Sequence, residues 1–113
     1  RMASLAKSDQ EYRLILGCLA AQCKLNHSFR EIYIWLMDYT YHTEPAETMN
    51  LLPELVDWIV QERRRKINQS NFLDRTCYMT DVGHACNAVG IAYSLDEQRQ
   101  ILQMLTSESE KGG

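Results

Sequence analysis

Apolar and polar positions follow a helical period along almost all of the 113 residues. Ser8 and Glu11 have the spacing of a capping box, in which each side chain satisfies a free amide of the first turn. Beyond it, Tyr12, Ile15, Leu16, Leu19 and Cys23 recur at about 100° per residue as one stripe. Leu14, Cys18, Ala21 and Leu25 form a second stripe on roughly the opposite side, and residues 14–21 are the longest apolar run of the chain. A surface helix needs one apolar stripe, so a helix with two is expected to be enclosed on two sides. Either the chain wraps this helix itself, or one side waits for another copy or a different protein. On the second reading Leu14, Cys18, Ala21 and Leu25 are the dimerisation face of a homodimer.

The pattern continues through four further segments. After a short connection at Leu25-Asn26-His27, Ser28 and Glu31 have capping-box spacing and open a helix to about Tyr41. Its main stripe is Phe29, Ile32, Tyr33, Leu36 and Tyr39. Residues 32–37 are rich in β-branched and aromatic side chains and also fit a strand. The cap and the missing hairpin partner favour the helix. Thr43-Glu44-Pro45 ends it, and Pro45 suits the first turn of the next element, where a proline needs no amide. Pro53 kinks or restarts that element. From there to about Asn68 the core stripe is Leu52, Leu55, Val56, Ile59, Val60 and Ile67. Asn71 can cap a fourth helix, with Asp74 at its positive end, over residues 72–93 and perhaps broken near Thr80. Its stripe is Tyr78, Val82, Cys86, Val89 and Tyr93. Ser94 and Glu97 give a third capping box, and the last helix carries Ile101, Leu102 and Leu105 to about Thr106. The expectation is an all-α, compact bundle of about five helices. Residues 8–106 form one domain, between a flexible N-terminus at 1–7 and a flexible tail at 107–113.

Composition narrows the function. Two prolines and five glycines are few breakers for a chain of this length, which supports the all-α class. The net charge of −3 gives no general affinity for polyanions. No run approaches the roughly 18 to 20 apolar residues of a membrane span. The polar start and late apolar run do not fit a signal peptide, and Arg1 reads as a residue added ahead of a natural start at Met2. Cys18, Cys23 and Cys86 lie in apolar helical stretches, where a thiol behaves as a small hydrophobe. With Cys77 they are expected to stay reduced, in the cytoplasm.

Catalytic and metal chemistry find no support in the residue spacing. Structural zinc sites pair their ligands closely, whereas Cys18 with Cys23, and His84 with Cys86, diverge around a helix. Phosphate-cradling glycine loops and the H-E-x-x-H pattern are absent. No catalytic residue, cofactor or metal is expected. Nucleic acid is the serious competitor, through Arg63-Arg64-Arg65-Lys66. That run lies at a helix C-terminus, where cations stabilise the dipole, and its charges spread around the helix. Residues 82–102 have a helix–turn–helix look, but the second helix opens with Asp96 and Glu97, which would face the phosphates. Direct DNA binding is therefore the alternative reading.

What remains is a surplus of large side chains off the core stripes: Ile34, Trp35, Met37, Tyr41 and Trp58. Interfaces are enriched in Trp, Tyr and Met. A small chain with no chemistry and no basic face is best read as a binder of proteins, with Ile34, Trp35, Tyr41 and Trp58 as partner-binding residues. The competing reading is that both tryptophans fill the core from an angle that a regular helix projection misjudges.

A helical chain of this size opening Met2-Ala3-Ser4-Leu5-Ala6-Lys7, with the apolar run 14–21 and the aromatic Tyr33-Ile34-Trp35, resembles the small antiactivators of LuxR-type quorum-sensing regulators. The resemblance implies a cytoplasmic homodimer that binds the ligand-binding domain of a LuxR-type transcription factor. Binding would block the factor's dimerisation and DNA binding and so repress quorum sensing. The resemblance carries over no site residues, and the partner-binding positions come from the residue pattern alone. A third class, a subunit or chaperone for a secreted partner, is compatible with the composition.

Overall fold

The structure, a computed structural model, describes residues 8–66, 73 and 75–112, with side chains described as far as Ser107. Its helices are α1 (Asp9–Leu25), α2 (Arg30–Tyr41), α3 (Pro45–Asn50), α4 (Leu52–Lys66), α5 (Met79–Ala88) and α6 (Leu95–Gly112). There is no strand among the described residues, so the all-α expectation holds and residues 32–37 are helical. The N-terminal segment 1–7 lies outside the described residues.

The bundle is built around α1. Its capping box forms as the spacing predicts: the Glu11 amide donates to Ser8 Oγ at 3.1 Å, and the Ser8 amide donates to the Glu11 carboxylate at 2.9 Å. α1 touches α2, α4, α5 and α6, and every residue from Leu16 to Cys23 is buried. Within the single chain the expected dimerisation face is largely covered. Cys18, Ala21 and Leu25 are covered by the chain's own helices, and Leu14 is half-buried against the same core. The physical reason is the small size of Gly17, Ala20 and Ala21, which lets neighbouring elements close in from both sides. The Cα of Gly17 lies beneath the side chains of Ile101 on α6 and Tyr93. Each fully enclosed large aliphatic residue, such as Leu16 or Ile101, contributes about 1.5–3 kcal/mol.

α2 starts differently from its sequence pattern. A 3₁₀ turn, His27–Phe29, precedes it, and the Asn26 side-chain oxygen accepts the Ser28 amide at 2.8 Å. Ser28 and Glu31 form no capping box, because Asn26 takes the first free amide of the turn. The main stripe behaves as expected: Phe29, Ile32, Tyr33 and Leu36 are buried and Tyr39 is half-buried. Pro45 occupies the first turn of α3, and Pro53 falls in the first turn of a new helix rather than kinking an old one. Leu52, Leu55, Val56 and Ile59 face the core with Val60 at its margin, while Ile67 lies outside the described residues.

α5 is shorter than the pattern 72–93 suggests. Asn71, Phe72 and Asp74 lie outside the described residues, and residues 75–78 are not helical. The helix begins at Met79 because the Asp81 carboxylate accepts the Tyr78 amide at 2.9 Å. It ends at Ala88 because Gly90 turns into the left-handed region at φ 69°. Thr40 Oγ1 donates to the free Ala88 carbonyl at 2.5 Å, tying that end to α2. α6 starts at the expected capping box, with Ser94 and Glu97 bonded reciprocally at 2.9 and 3.1 Å. It continues past Thr106 to Gly112, since residues 107–111 contain no Gly or Pro breaker.

Candidate protein-binding face

The outer side of α2 follows from helical spacing. Ile32, Tyr33 and Leu36 take the inner side, so Ile34, Met37 and Tyr41 are carried outward together. They are 51, 41 and 84 % exposed. Beside Met37 a groove of about 440 Å³ opens between α2 and α5, lined by Lys24, Tyr33, Met37, His84, Asn87 and Ala88. Glu31 and Asp38 are also exposed on α2 and give the apolar strip an acidic border.

Trp35 and Trp58 meet. Their ring centroids are 4.1 Å apart, and Trp35 stacks on Tyr39 at 5.1 Å with planes 22° apart. Trp35 stays exposed, whereas Trp58 is half-buried against the core. Of the four partner-binding positions expected from sequence, Ile34, Trp35 and Tyr41 are therefore on the surface, and Trp58 is shared between surface and core. The contact between the two tryptophans carried no sequence signal, because it depends on how α2 and α4 approach.

The basic run on α4 is largely engaged. Arg63 Nη1 donates to the buried Gln22 side chain, Arg65 pairs with Glu62 at 2.8 Å, and Lys66 lies 3.6 Å from Glu31. Arg63 is thus half-buried rather than solvated. The second helix of the helix–turn–helix look is docked at its start. Arg13 on α1 grips both Glu97 oxygens at 2.9 and 3.0 Å and donates to the Ala92 carbonyl at 2.6 Å. The Arg13 guanidinium lies 4.8 Å over the Tyr93 ring, whose hydroxyl donates back to the Arg13 carbonyl at 2.7 Å. That grip holds the Glu97 carboxyl down at about 2.

A second carboxylate hub escaped the sequence pattern. Asp81 receives Arg75 bidentately at 2.8 and 3.1 Å and Lys24 at 3.2 Å. Its carboxyl is held well below the usual carboxylate range, first by the Arg75 bond. The available signal was the position of Asp81 three residues after Tyr78, where a carboxylate can close a helix start.

Three of the four thiols are poorly suited to nucleophilic work. Desolvation pushes Cys23 up to about 12 and Cys77 and Cys86 up to about 11, so little thiolate exists near neutrality. Among the described residues no group of three or more His, Cys, Asp or Glu side chains could hold a metal ion. Among them, too, no helix is long and apolar enough to cross a membrane. No protein-family model matches the chain, and neither a curated protein nor a solved structure matches it.

Proposed function

We propose that this chain is a non-enzymatic regulator that works by binding another protein through the outer side of α2. The observation that carries the reading is the joint exposure of Ile34, Met37 and Tyr41 beside the Trp35–Trp58 pair. Buried aromatic anchors supply most of the energy of protein interfaces, and this is where the chain displays them. Following the resemblance, the partner is the ligand-binding domain of a LuxR-type transcription factor. Such a factor must dimerise and exposes an apolar surface as a monomer. An antiactivator that covers that surface opposes dimerisation by mass action, and DNA binding and quorum sensing fall with it. The site of action is the cytoplasm. Because Cys18, Ala21 and Leu25 are buried in the single chain, our proposal moves the homodimer contact from α1 to α2, where a second copy and the partner compete for one face. Direct DNA binding is the less favoured reading, since Arg63, Arg65 and Lys66 already have partners within the chain.

The test is co-purification with a LuxR-type ligand-binding domain, followed by light scattering. A mixed complex that replaces the regulator's dimer is the expected result. Ile34→Glu and Tyr41→Glu should abolish it and leave this chain folded and monomeric. A regulator dimer that persists beside the folded chain would refute the partner. Mixed complexes that form equally well with both variants would refute the face.

A further inference from the structure

The end of α1, the turn after it and the entry to α5 enclose a cleft of about 540 Å³. Its described lining is Lys24, Leu25, Asn26, His27, Arg30 and Arg75. That volume lies in the range of small-molecule sites, roughly 300–1,000 Å³. The lining is basic, although the whole chain has a net charge of −3.

Among the described residues its charges do not cancel. Lys24 Nζ and Arg75 Nη2 converge on one oxygen of Asp81, at 3.2 and 2.8 Å. One carboxylate therefore answers two cations. Arg30 adds a third cation, and its side chain makes no ion pair or hydrogen bond among the described residues. With Asp81 counted, the described lining keeps a surplus of two positive charges. Asp81 also restrains the geometry, because its two-pronged bond fixes the Arg75 guanidinium in the lining. Lys24 uses one of its three donors on Asp81, which leaves two for a ligand.

We propose that this cleft binds the phosphate group of a small phosphorylated molecule. A phosphate monoester carries nearly two negative charges at neutral pH and matches the surplus. A free guanidinium fork meets two phosphate oxygens at once, the role open to Arg30, while Lys24 supplies a point charge. Leu25 offers apolar contact to the body of the ligand. The cleft lining does not include Ile34, Trp35, Met37 or Tyr41, so the proposal does not rest on the protein partner.

The probes are inorganic phosphate and glycerol 3-phosphate, titrated into the full chain at constant ionic strength and followed by amide NMR. Saturable shifts confined to residues around 24–30 and 75–77, with dissociation constants at or below about 1 mM, are expected. Arg30→Gln removes an exposed side chain and should keep the fold while weakening binding at least fivefold. Arg65→Gln, which removes a cation paired on α4, should leave binding unchanged. The proposal is overturned by shifts that do not saturate, by the same shifts from sodium chloride, or by Arg30→Gln binding as the parent does.

Discussion

The ring of Trp35 on α2 lies 4.1 Å from the ring of Trp58 on α4, with the two planes inclined by 31°. Each reinforces the other, but they face different surroundings. Trp58 reaches the core, while Trp35 is 38 % exposed and covers Trp58 from outside. From sequence both were expected to bind a partner, with Trp58 as the second anchor. The structure separates them: Trp58 packs against the core and Trp35 lies at the surface beside it.

The two tryptophans should therefore respond differently to truncation. Trp58→Ala removes core packing and should cost about 2–3 kcal/mol in urea unfolding. Trp35→Ala loses stacking, about 1 kcal/mol, but should weaken a protein partner by about 2 kcal/mol or more. Either change should abolish the exciton couplet that two indoles in contact give in far-ultraviolet circular dichroism. Equal losses of stability in the two variants would contradict the division.

Cys18 sits on the side of α1 expected to face a second copy, and it is 4 % exposed within a single chain. A carboxylate there would be buried with no partner among apolar helices. Cys18→Glu should cost more than about 4 kcal/mol and leave the chain unfolded at room temperature. Circular dichroism with light scattering checks this. A folded, soluble Cys18→Glu monomer would show that the side is open to solvent after all.

Glu97 links pH to stability through Arg13. Its carboxyl titrates at about 2 in the fold, below its ordinary value of 4.5, chiefly because of the Arg13 bond. A depressed carboxyl stabilises the fold above the unfolded value, and that contribution disappears as pH falls through the folded one. Melting temperature should thus fall steadily on acidification from about pH 4.5 to pH 2. Asp81 is shifted in the same direction and adds to the loss. Arg13→Met leaves a carboxylate without its cation, which costs about 3 kcal/mol at neutral pH and should flatten the acid dependence. An unchanged acid slope in Arg13→Met would remove Glu97 as its source.

Two glycines on or just after α5 should respond in opposite senses. At Gly90 a Cβ would lie 3.0 Å from Thr40 Cβ, on backbone already at φ 69°. Gly90→Ala should cost about 1–2 kcal/mol. At Gly83, inside the helix, a Cβ would meet only Gln98 Oε1 at 3.6 Å. Gly83→Ala should be neutral or stabilise by up to about 1 kcal/mol. Thermal unfolding of the two variants side by side separates them, and a destabilised Gly83→Ala would show that α5 packs more tightly there.

Local chemistry determined the elements of this chain. The Ser8–Glu11 and Ser94–Glu97 boxes set the starts of α1 and α6, and Pro45 set the start of α3, because each acts within a single turn. The inner and outer sides of α2 were also readable, since a helix fixes which residues share a face whatever it packs against. Helix limits decided by remote partners were not readable. α5 starts where Asp81 gathers Arg75 and Lys24, and its far end is tied down by Thr40 from another helix. The double stripe of α1 shows the limit most clearly. Periodicity established that two sides of α1 must be covered, but it carries no information on what covers them. Only the tertiary structure decided that the chain's own helices do so, because Gly17, Ala20 and Ala21 leave room for them to close in. The joining of Trp35 to Trp58 and of Lys24 to Arg75 has the same origin: each pair is distant in sequence and meets only through the approach of separate elements.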